Sequence, residues 1–386
     1  MAILRDLRQN YSAYRKFEAL PIEQKRIVLY SEGKTYWPFL KPFVTALIET
    51  TNEHPIYVSS DENDPGLKYC PERMQGFQIG EGTIRTLWFS SLTCKVLIMT
   101  MPDLQVFHIK RSKVYPVNYV YANHGCDSIH MVLREQALDY FDTIFLSGPH
   151  NEKEIRSREH LKGLPAKKLF NIGYPYLDEL IKDAEPYLTQ YPSEERPLCV
   201  LIAPSWSEKG SGTLETVGNV LVGLLLNAGF ETIVRPHPQT RKLFPECIEE
   251  IRRTYSGNPL FTLDENANNK KSLMKADILI TDWSAIAMEF SFSRLRPVLY
   301  IDVPKKTMNP NYTELGIEPL EVSIRTEIGA VLHPDNIHGV VTILNQLGEN
   351  IPAFSDKINI IREKTVYHIG QSAIIGAETL VHLADD

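Results

Sequence analysis

Residues 276–290, ADILITDWSAIAMEF, decide the fold of this chain. An apolar run of strand length ends in the polar residues Thr281, Asp282 and Ser284, and apolar residues at helical spacing follow. A strand that leads into a helix in this way is typical of parallel α/β sheets, whose strand ends deliver polar groups to one ligand edge. The opening helix also presents free backbone N–H groups, which bind anions. The segment therefore predicts an anion site at a sheet edge.

Short apolar runs alternate with helical stretches along the whole chain. The runs are residues 27–30, 56–58, 96–99, 119–122 and 143–146, and then 198–202, 232–234, 260–263, 278–280 and 298–301. Such alternation predicts parallel sheets with crossover helices. The polar segment 187–197 separates the two series, so we predict two Rossmann-like doubly wound α/β lobes facing a cleft, residues 1–190 and 191–386. We expect the last helical stretch, 357–383, to fold back on the first lobe.

Composition excludes several classes of protein. The chain has 386 residues and a net charge of −7, which argues against a general nucleic-acid binder with a basic face. Its five cysteines form no CxxC pair, so neither a disulfide framework nor a zinc cluster is indicated, and we expect a cytoplasmic protein. No apolar stretch has the length needed to span a bilayer.

The N-terminus carries an amphipathic pattern. Apolar residues recur at steps of three and four, with basic residues between them: Leu4, Leu7, Tyr11, Tyr14, Phe17 and Leu20, with Arg5, Arg8, Arg15 and Lys16. This spacing predicts an amphipathic helix. Such a helix either lies on an anionic membrane surface, as a peripheral contact, or packs on the protein itself, which is the commoner use.

A second polar cluster follows residues 232–234. Arg235 suits bidentate phosphate contact, and His237 lies between two prolines that restrict its backbone and fix the direction of its imidazole. Together they could neutralise a diphosphate. The alternative is that the prolines only end the strand and leave a solvated histidine.

Two further strand ends supply candidate donor contacts. Ser205 opens a loop with two glycines that could cover phosphates, although the chain has neither the P-loop spacing nor a GxGxxG motif. Thr281, Asp282 and Ser284 are candidates at the other end. Helix capping, which contributes about 1 kcal/mol, is the alternative and would explain one of these three residues.

His124 and Gly125 follow the run 119–122. Imidazole accepts a proton at neutral pH, so His124 is a candidate general base for an acceptor hydroxyl, and Gly125 permits close backbone approach. A histidine hydrogen-bonded within a turn is the equally weighted alternative. The GYP segment from Gly173 is interpreted as a chain reversal.

The chain carries five motifs in this order: HG at His124, GYPYLD at Gly173, APSW at Ala203, RPHP at Arg235 and TDWSAIAMEF at Thr281. Taken together, they resemble the CDP-glycerol glycerophosphotransferase family of wall teichoic acid and capsule synthesis. The resemblance spans residues 117–303. It implies a glycosyltransferase-B type fold, a CDP-linked donor bound mainly in the C-terminal lobe, and work at the cytoplasmic face of the membrane.

The same resemblance implies roles for individual residues. His124 corresponds to the proposed base, His237 and Ser284 to donor-phosphate contacts, and Arg235 and Asp282 belong to the same motifs. We count His124 and His237 as the catalytic candidates. The donor-binding candidates are Arg235, Thr281, Asp282, Ser284, Ser205 and Gly125.

The leading hypothesis is transfer of glycerol phosphate, or a related polyol phosphate, from a CDP-linked donor to a hydroxyl of a surface glycan or lipid-linked acceptor. The expected enzyme uses no metal and no other cofactor, because preorganised polar groups would stabilise the diphosphate. One alternative is a glycosyltransferase of the same fold that uses a nucleotide sugar for capsule or lipopolysaccharide synthesis. Another is a non-catalytic nucleotide-binding protein.

Overall fold

The computed structural model describes residues 2–193, 196–266 and 270–386, with side chains from residue 6 onward. The strands are β1 (Ile27–Ser31), β2 (Ile56–Ser59), β3 (Gln75–Gln78), β4 (Val96–Met99), β5 (Asn118–Ala122), β6 (Thr143–Leu146), β7 (Lys168–Asn171), β8 (Cys199–Ile202), β9 (Glu231–Val234), β10 (Phe261–Leu263), β11 (Ile278–Thr281), β12 (Val298–Ile301) and β13 (Gly329–Leu332).

The helices are α1 (Ala2–Glu18), α2 (Trp37–Thr50), α3 (Thr83–Ser91), α4 (Ile129–Val132), α5 (Pro149–Lys162), α6 (Pro175–Ala184), α7 (Thr213–Asn227), α8 (Pro238–Leu243), α9 (Pro245–Tyr255), α10 (Lys270–Lys275), α11 (Ile286–Arg294), α12 (Leu320–Ser323), α13 (Val340–Glu349), α14 (Ile351–Thr365) and α15 (Ser372–Asp385). Short 3₁₀ helices lie at Ile22–Gln24, Pro65–Lys68, Glu185–Tyr187, Tyr312–Leu315 and Pro334–Gly339.

The chain divides into two compact units. The first contains Met1–Glu179, Met308–Ile317 and Thr365–Asp386, and the second contains Leu180–Thr307 and Glu318–Lys364. The division differs from the expected boundary at residue 190. Residues 180–190 belong to the second unit, where the buried Arg296 donates to the carbonyl oxygens of Leu188 and Gln190, both at 3.0 Å.

The first unit is a seven-stranded parallel sheet in the order β3-β2-β1-β4-β5-β6-β7. Its central strands point successive side chains to opposite sides, and both of their faces are buried. Val28 and Tyr30 pack with Trp88 on one face, whereas Ile27 and Leu29 pack with α2 and α15 on the other. The helix α15 lies against α2 closely enough that a Cβ at Gly376 would meet the ring of Phe43.

The second unit is a six-stranded parallel sheet in the order β10-β9-β8-β11-β12-β13. In both sheets the strand order reverses beside the first strand of the series, which is the doubly wound arrangement with a switch point between β1 and β4 and between β8 and β11. The helix α7 covers this second sheet, with Leu221 and Leu225 fully buried, and ends before Gly229 at a φ of +84°. The predicted class of two doubly wound α/β units is confirmed.

The pattern of apolar runs missed β3, β7 and β13. All three lie at sheet edges, where one side of the strand has no neighbour. Their residues are largely exposed or partly exposed, so their sequences lack the continuous apolar signal of the central strands.

The N-terminal helix α1 divides its apolar stripe between two environments. Tyr14 and Phe17 are buried in the first-unit core, where the ring of Phe17 contacts Phe77 and Trp88. Leu7 and Tyr11 are 47% and 46% exposed. Among the described residues, no helix is both long enough and apolar enough to cross a bilayer.

Candidate functional site

The switch point of the second unit is organised by the carboxylate of Asp282. This side chain, 1% exposed, accepts hydrogen bonds from the backbone N–H of Ser205 at 2.8 Å, from the Thr213 hydroxyl at 2.9 Å and from the N–H of Trp283 at 2.7 Å. The carboxylate thereby fixes the loop after β8 and the first residue of α7. Asp282 is therefore a positioning residue, because these bonds leave it engaged with the protein.

Thr281 and Ser284, on either side of Asp282, differ in their surroundings. The buried Thr281 hydroxyl donates to the carbonyl oxygen of Ala203 at 2.8 Å and ties the ends of β8 and β11 together. Ser284 is only partly buried, and the N-cap of α11 is Ala285, which has no side chain that could cap the helix. Helix capping therefore does not account for Ser284.

Arg235 and His237 continue from β9, next to β8. The Arg235 guanidinium is 8% exposed and lies 3.4 Å from the Ser272 hydroxyl. His237 is the N-cap of α8, and its Nδ1 accepts the backbone N–H of Gln239 at 3.0 Å. Since Nδ1 accepts, the neutral ring carries its proton on Nε2, which remains a hydrogen-bond donor.

The neutral form of His237 is the stable one at physiological pH. Its pKa is lowered to about 4, mainly by burial and then by the nearby positive charge of Lys306, while Asp282 acts in the opposite direction. The ring stacks with Trp206 at a centroid distance of 6.2 Å, and Lys306 Nζ lies 4.8 Å from the centre of the same indole. A neutral donor and an ammonium group thus flank one aromatic ring.

A second indole carries two cations. Arg325 lies 4.1 Å and Lys305 5.4 Å from the centre of the Trp283 ring, whose Nε1 donates to the carbonyl oxygen of Val303 at 2.9 Å. The positive charges at this end of the sheet favour an anionic ligand. Sequence reasoning missed Lys305 and Lys306, although they follow β12 and the rule that polar residues at strand ends form sites would have found them.

In the first unit, His124 follows β5 and lies among aromatic rings. Phe39 and Tyr36 have centroid distances of 5.6 and 6.2 Å from the imidazole, and the Tyr121 hydroxyl is 3.4 Å from Nδ1. Burial lowers the His124 pKa to about 4, although part of the side chain is exposed. The imidazole is therefore neutral at physiological pH, as a proton acceptor must be.

The backbone around His124 is fixed by side-chain donors. Tyr174 donates to the carbonyl oxygen of His124 at 2.9 Å, and the Ser147 hydroxyl donates to that of Gly125 at 2.7 Å. A Cβ at Gly125 would find only Asp127 nearby, at 3.4 Å, so nothing in the fold itself requires glycine there. No local pattern in the sequence indicates that Tyr36 and Phe39 lie beside the histidine.

The GYPYLD segment does more than reverse the chain. Gly173 has a φ of +94°, and a Cβ there would lie 2.1 Å from the carbonyl oxygen of Tyr367. Asp178 accepts the backbone N–H groups of Gly370 and Ser372 at 2.8 and 3.0 Å and so caps the start of α15. The segment links the last helix to the loop that carries His124.

The predicted site residues fall into two groups. His124 and Gly125 belong to the first unit, whereas Ser205, Arg235, His237, Thr281, Asp282 and Ser284 belong to the second, at the carboxyl ends of β8, β9 and β11. Across residues 2–193, 196–266 and 270–386, no group of three or more His, Cys, Asp or Glu side chains is arranged to hold a metal ion.

Two doubly wound units with polar groups gathered at a switch point define an α/β protein of the glycosyltransferase-B type. Solved structures of this type match the chain over most of its length. Two structures of the wall teichoic acid polymerase TagF, both 14% identical, have TM-scores of 0.59 and 0.56; they cover 99% and 100% of this chain and 97% and 94% of their own. The UDP-GlcNAc 2-epimerase from Neisseria meningitidis, 16% identical, has a TM-score of 0.57 and covers 92% of this chain and 99% of its own.

Residues 21–306 match the family described as CDP-glycerol:poly(glycerophosphate) glycerophosphotransferase, and the chain belongs to that family. A comparison with curated protein sequences finds no match. The predicted activity is confirmed: the chain is an enzyme that transfers glycerol phosphate from CDP-glycerol to a glycan acceptor. Neither the glycosyltransferase alternative nor the alternative of a non-catalytic binding protein gains support.

Proposed function

We propose that His237 and Lys306 hold the diphosphate of the CDP-linked donor, with Ser284 and Arg235 as further contacts. The observation that carries this assignment is the hydrogen bond from Gln239 N–H to His237 Nδ1, which leaves Nε2–H as a donor beside a lysine ammonium. A neutral imidazole and an ammonium group supply hydrogen bonds and charge without a metal ion.

Thr281, Asp282 and Ser205 act mainly by shaping this site. The hydroxyl of Thr281 and the carboxylate of Asp282 are already bonded to the protein. Their bonds hold the loop that begins at Ser205, whose backbone N–H is tied to Asp282. In this proposal the loop closes over the phosphates, and the carboxylate fixes its starting point.

His124 takes the proton of the acceptor hydroxyl. The acceptor oxygen attacks the phosphorus that bears glycerol, a new P–O bond forms, and the bond from that phosphorus to the bridging oxygen breaks. CMP leaves with the bridging oxygen, and the acceptor proton moves to Nε2 of His124. This step needs Nε2 unprotonated, which follows if Nδ1–H donates to the Tyr121 oxygen 3.4 Å away.

The low pKa of His124 is raised when the donor binds. Burial alone disfavours the imidazolium form in the free enzyme. The negative charges of a bound diphosphate favour that form, so the base becomes stronger when the substrate is present.

The proposed location is the cytoplasm, at the membrane surface where a lipid-linked glycan would be met. All five cysteines carry free thiols, as is usual in a reducing compartment. Leu7 and Tyr11 on the exposed part of α1 provide apolar contacts for a peripheral attachment. No nucleic-acid partner is proposed for a chain with a net charge of −7.

Doubly labelled CDP-glycerol, with ³²P in the phosphate next to glycerol and ¹⁴C in the glycerol, tests the reaction directly. Incubation with free oligosaccharides should release CMP and give a product that carries both labels. A product with ¹⁴C but no ³²P, or turnover only with nucleotide sugars, would reject phosphotransfer.

The same assay tests the base. His124→Ala should lower kcat by roughly 10²–10⁴-fold while the affinity for CDP stays unchanged. His160→Ala, which removes an exposed histidine of the same unit, is the matched control and should behave like the unmodified enzyme. Equal activities of the two variants would remove His124 from the mechanism.

A further inference from the structure

A polar pocket of about 460 Å³ opens at the carboxyl ends of β1, β2 and β3 in the first unit. Residues that follow these strands line it, together with the side of α1; among them are Glu32, Lys34, Tyr36, Asp61, Asn63 and Glu81. The carboxyl edge is where parallel sheets bind ligands, and the donor contacts assigned above lie on the other unit. We call this cavity the β1–β3 pocket.

The β1–β3 pocket is next to the proposed base. Tyr36 lines the pocket, and its ring centroid is 6.2 Å from that of His124, at an interplanar angle of 74°. Burial raises the pKa of Tyr36, and the negative charge of Glu32 raises it further, so the phenol is a neutral hydrogen-bond donor close to Glu32. A single aromatic ring therefore separates the pocket from the imidazole.

The charges that line the pocket are mostly negative. Asp6, Glu32, Asp61, Glu62 and Glu81 supply carboxylates, and Lys34 is the basic residue among the described lining residues. The N–H groups of Asn63 and Lys34, at 2.9 and 3.2 Å, hold the pKa of Asp61 below its usual range, so this carboxylate is ionised. A phosphate placed here would meet like charges.

The same lining suits a ligand with many uncharged hydroxyl groups. Carboxylates accept hydrogen bonds from hydroxyls, and the amides of Asn10, Asn63 and Gln78 both donate and accept. The Ser60 hydroxyl, paired with that of Tyr30 at 2.8 Å, adds another polar group at the base of the pocket. Such a set binds a sugar or polyol at several points without needing charge on the ligand.

We propose, on the basis of the role assigned to His124, that the β1–β3 pocket binds the uncharged sugar or polyol end of the acceptor and rejects an end that carries phosphate. The pocket then selects a neutral glycan as the acceptor.

The first test compares two probes that differ in charge, methyl glucoside and its 6-phosphate, as acceptors for CDP-glycerol. The neutral probe should have a kcat/KM at least about fivefold higher, and rising salt should shrink the ratio because salt screens the repulsion. Preference for the phosphate would overturn the assignment.

The second test removes charge from the pocket at two exposed positions. Glu62→Gln with Glu81→Gln should lower the ratio of kcat/KM for the neutral probe to that for the 6-phosphate by several fold, because it removes two charges that repel the phosphate. Glu23→Gln with Glu152→Gln makes the same change in net charge at exposed sites outside the pocket and is the matched control. An unchanged charge preference in the pocket variant, or the same change in the control, would overturn the assignment.

Direct binding separates failure of this assignment from failure of the proposed chemistry. Ligand-observed NMR with CDP present should show tighter binding of the neutral probe than of its phosphate, and Asn63→Trp, at an exposed lining position, should abolish binding of the neutral probe. If the unmodified enzyme released no CMP, the role of His124 would be contradicted, but the difference in binding between the two probes would still stand. Equal binding of both probes, or neutral-probe binding that survives Asn63→Trp, would overturn the pocket assignment alone.

Discussion

Two substitutions of His237 separate its structural bond from its proposed catalytic one. An asparagine places its amide oxygen near the position of Nδ1 and keeps the bond to Gln239 N–H, but has nothing at the position of Nε2. A glutamine places its amide N–H near Nε2 and keeps the donor, but loses the cap of α8. The two bonds are therefore removed one at a time.

The two substitutions should differ in their effects on thermal stability and on activity. Loss of an N-cap costs about 1 kcal/mol, which lowers the Tm of a unit of this size by roughly 2–4 °C. Loss of a hydrogen bond to a charged group costs about 1.5–3 kcal/mol, or roughly 10- to 150-fold in kcat/KM. His237→Asn should therefore lose activity at unchanged Tm, whereas His237→Gln should lose Tm and retain most activity.

Thermal unfolding and initial rates of CMP release from CDP-glycerol measure both quantities on the same preparations. His333 provides the control, since its Nδ1 caps the next 3₁₀ helix in the same way through Asp335 N–H at 3.3 Å. His333→Asn should change neither quantity. If His237→Gln loses as much activity as His237→Asn, the Nε2 donor is not what the reaction requires.

Three further predictions follow from the first unit. The folded pKa of His124, about 4, lies below its ordinary value of about 6.5. Its stabilising contribution is therefore complete above pH 6.5 and is lost as pH falls towards 4. Urea unfolding should show a loss of up to about 3 kcal/mol over this range, and His124→Asn should lack the loss. Gly173→Ala should destabilise by at least about 2 kcal/mol in the same assay, because its Cβ would meet a carbonyl oxygen at 2.1 Å with φ at +94°, and an unchanged midpoint would contradict this. Leu7→Asp with Tyr11→Asp should reduce sedimentation with anionic liposomes, whereas Val114→Asp, at another exposed apolar position, should not; equal sedimentation of all variants would reject α1 as the anchor.

The sequence predicted the central strands and the switch-point residues because both depend on local pattern. Apolar runs such as residues 278–280 are buried on both faces, and the polar residues that follow them reach one edge by the rules of parallel sheets. The order of motifs was sufficient for the family. The pattern could not separate Thr281 and Asp282, which are bonded to the protein, from Ser284, which remains partly exposed.

The rest depended on contacts between distant parts of the chain. Tyr36 and Phe39 approach His124 from a helix start more than eighty positions earlier, so no local spacing reveals them. The return of residues 308–317 to the first unit is equally invisible in composition. Prediction from pattern therefore identified the histidine proposed as the base, but neither its aromatic surroundings nor the pocket beside it.

The hydrogen bonds that link the start of α15 and the residues before it to the loop carrying His124 and Gly125 have a consequence for synthesis on the ribosome. Tyr367 N–H donates to the Ser147 carbonyl oxygen at 2.9 Å, and the Ser147 hydroxyl holds Gly125. Asp178 accepts a hydrogen bond from the backbone N–H of Ser372 at 3.0 Å. A nascent chain that has emerged only to residue 360 lacks both anchors, so the loop that carries His124 gains these supports only after residues 367–372 have left the exit tunnel.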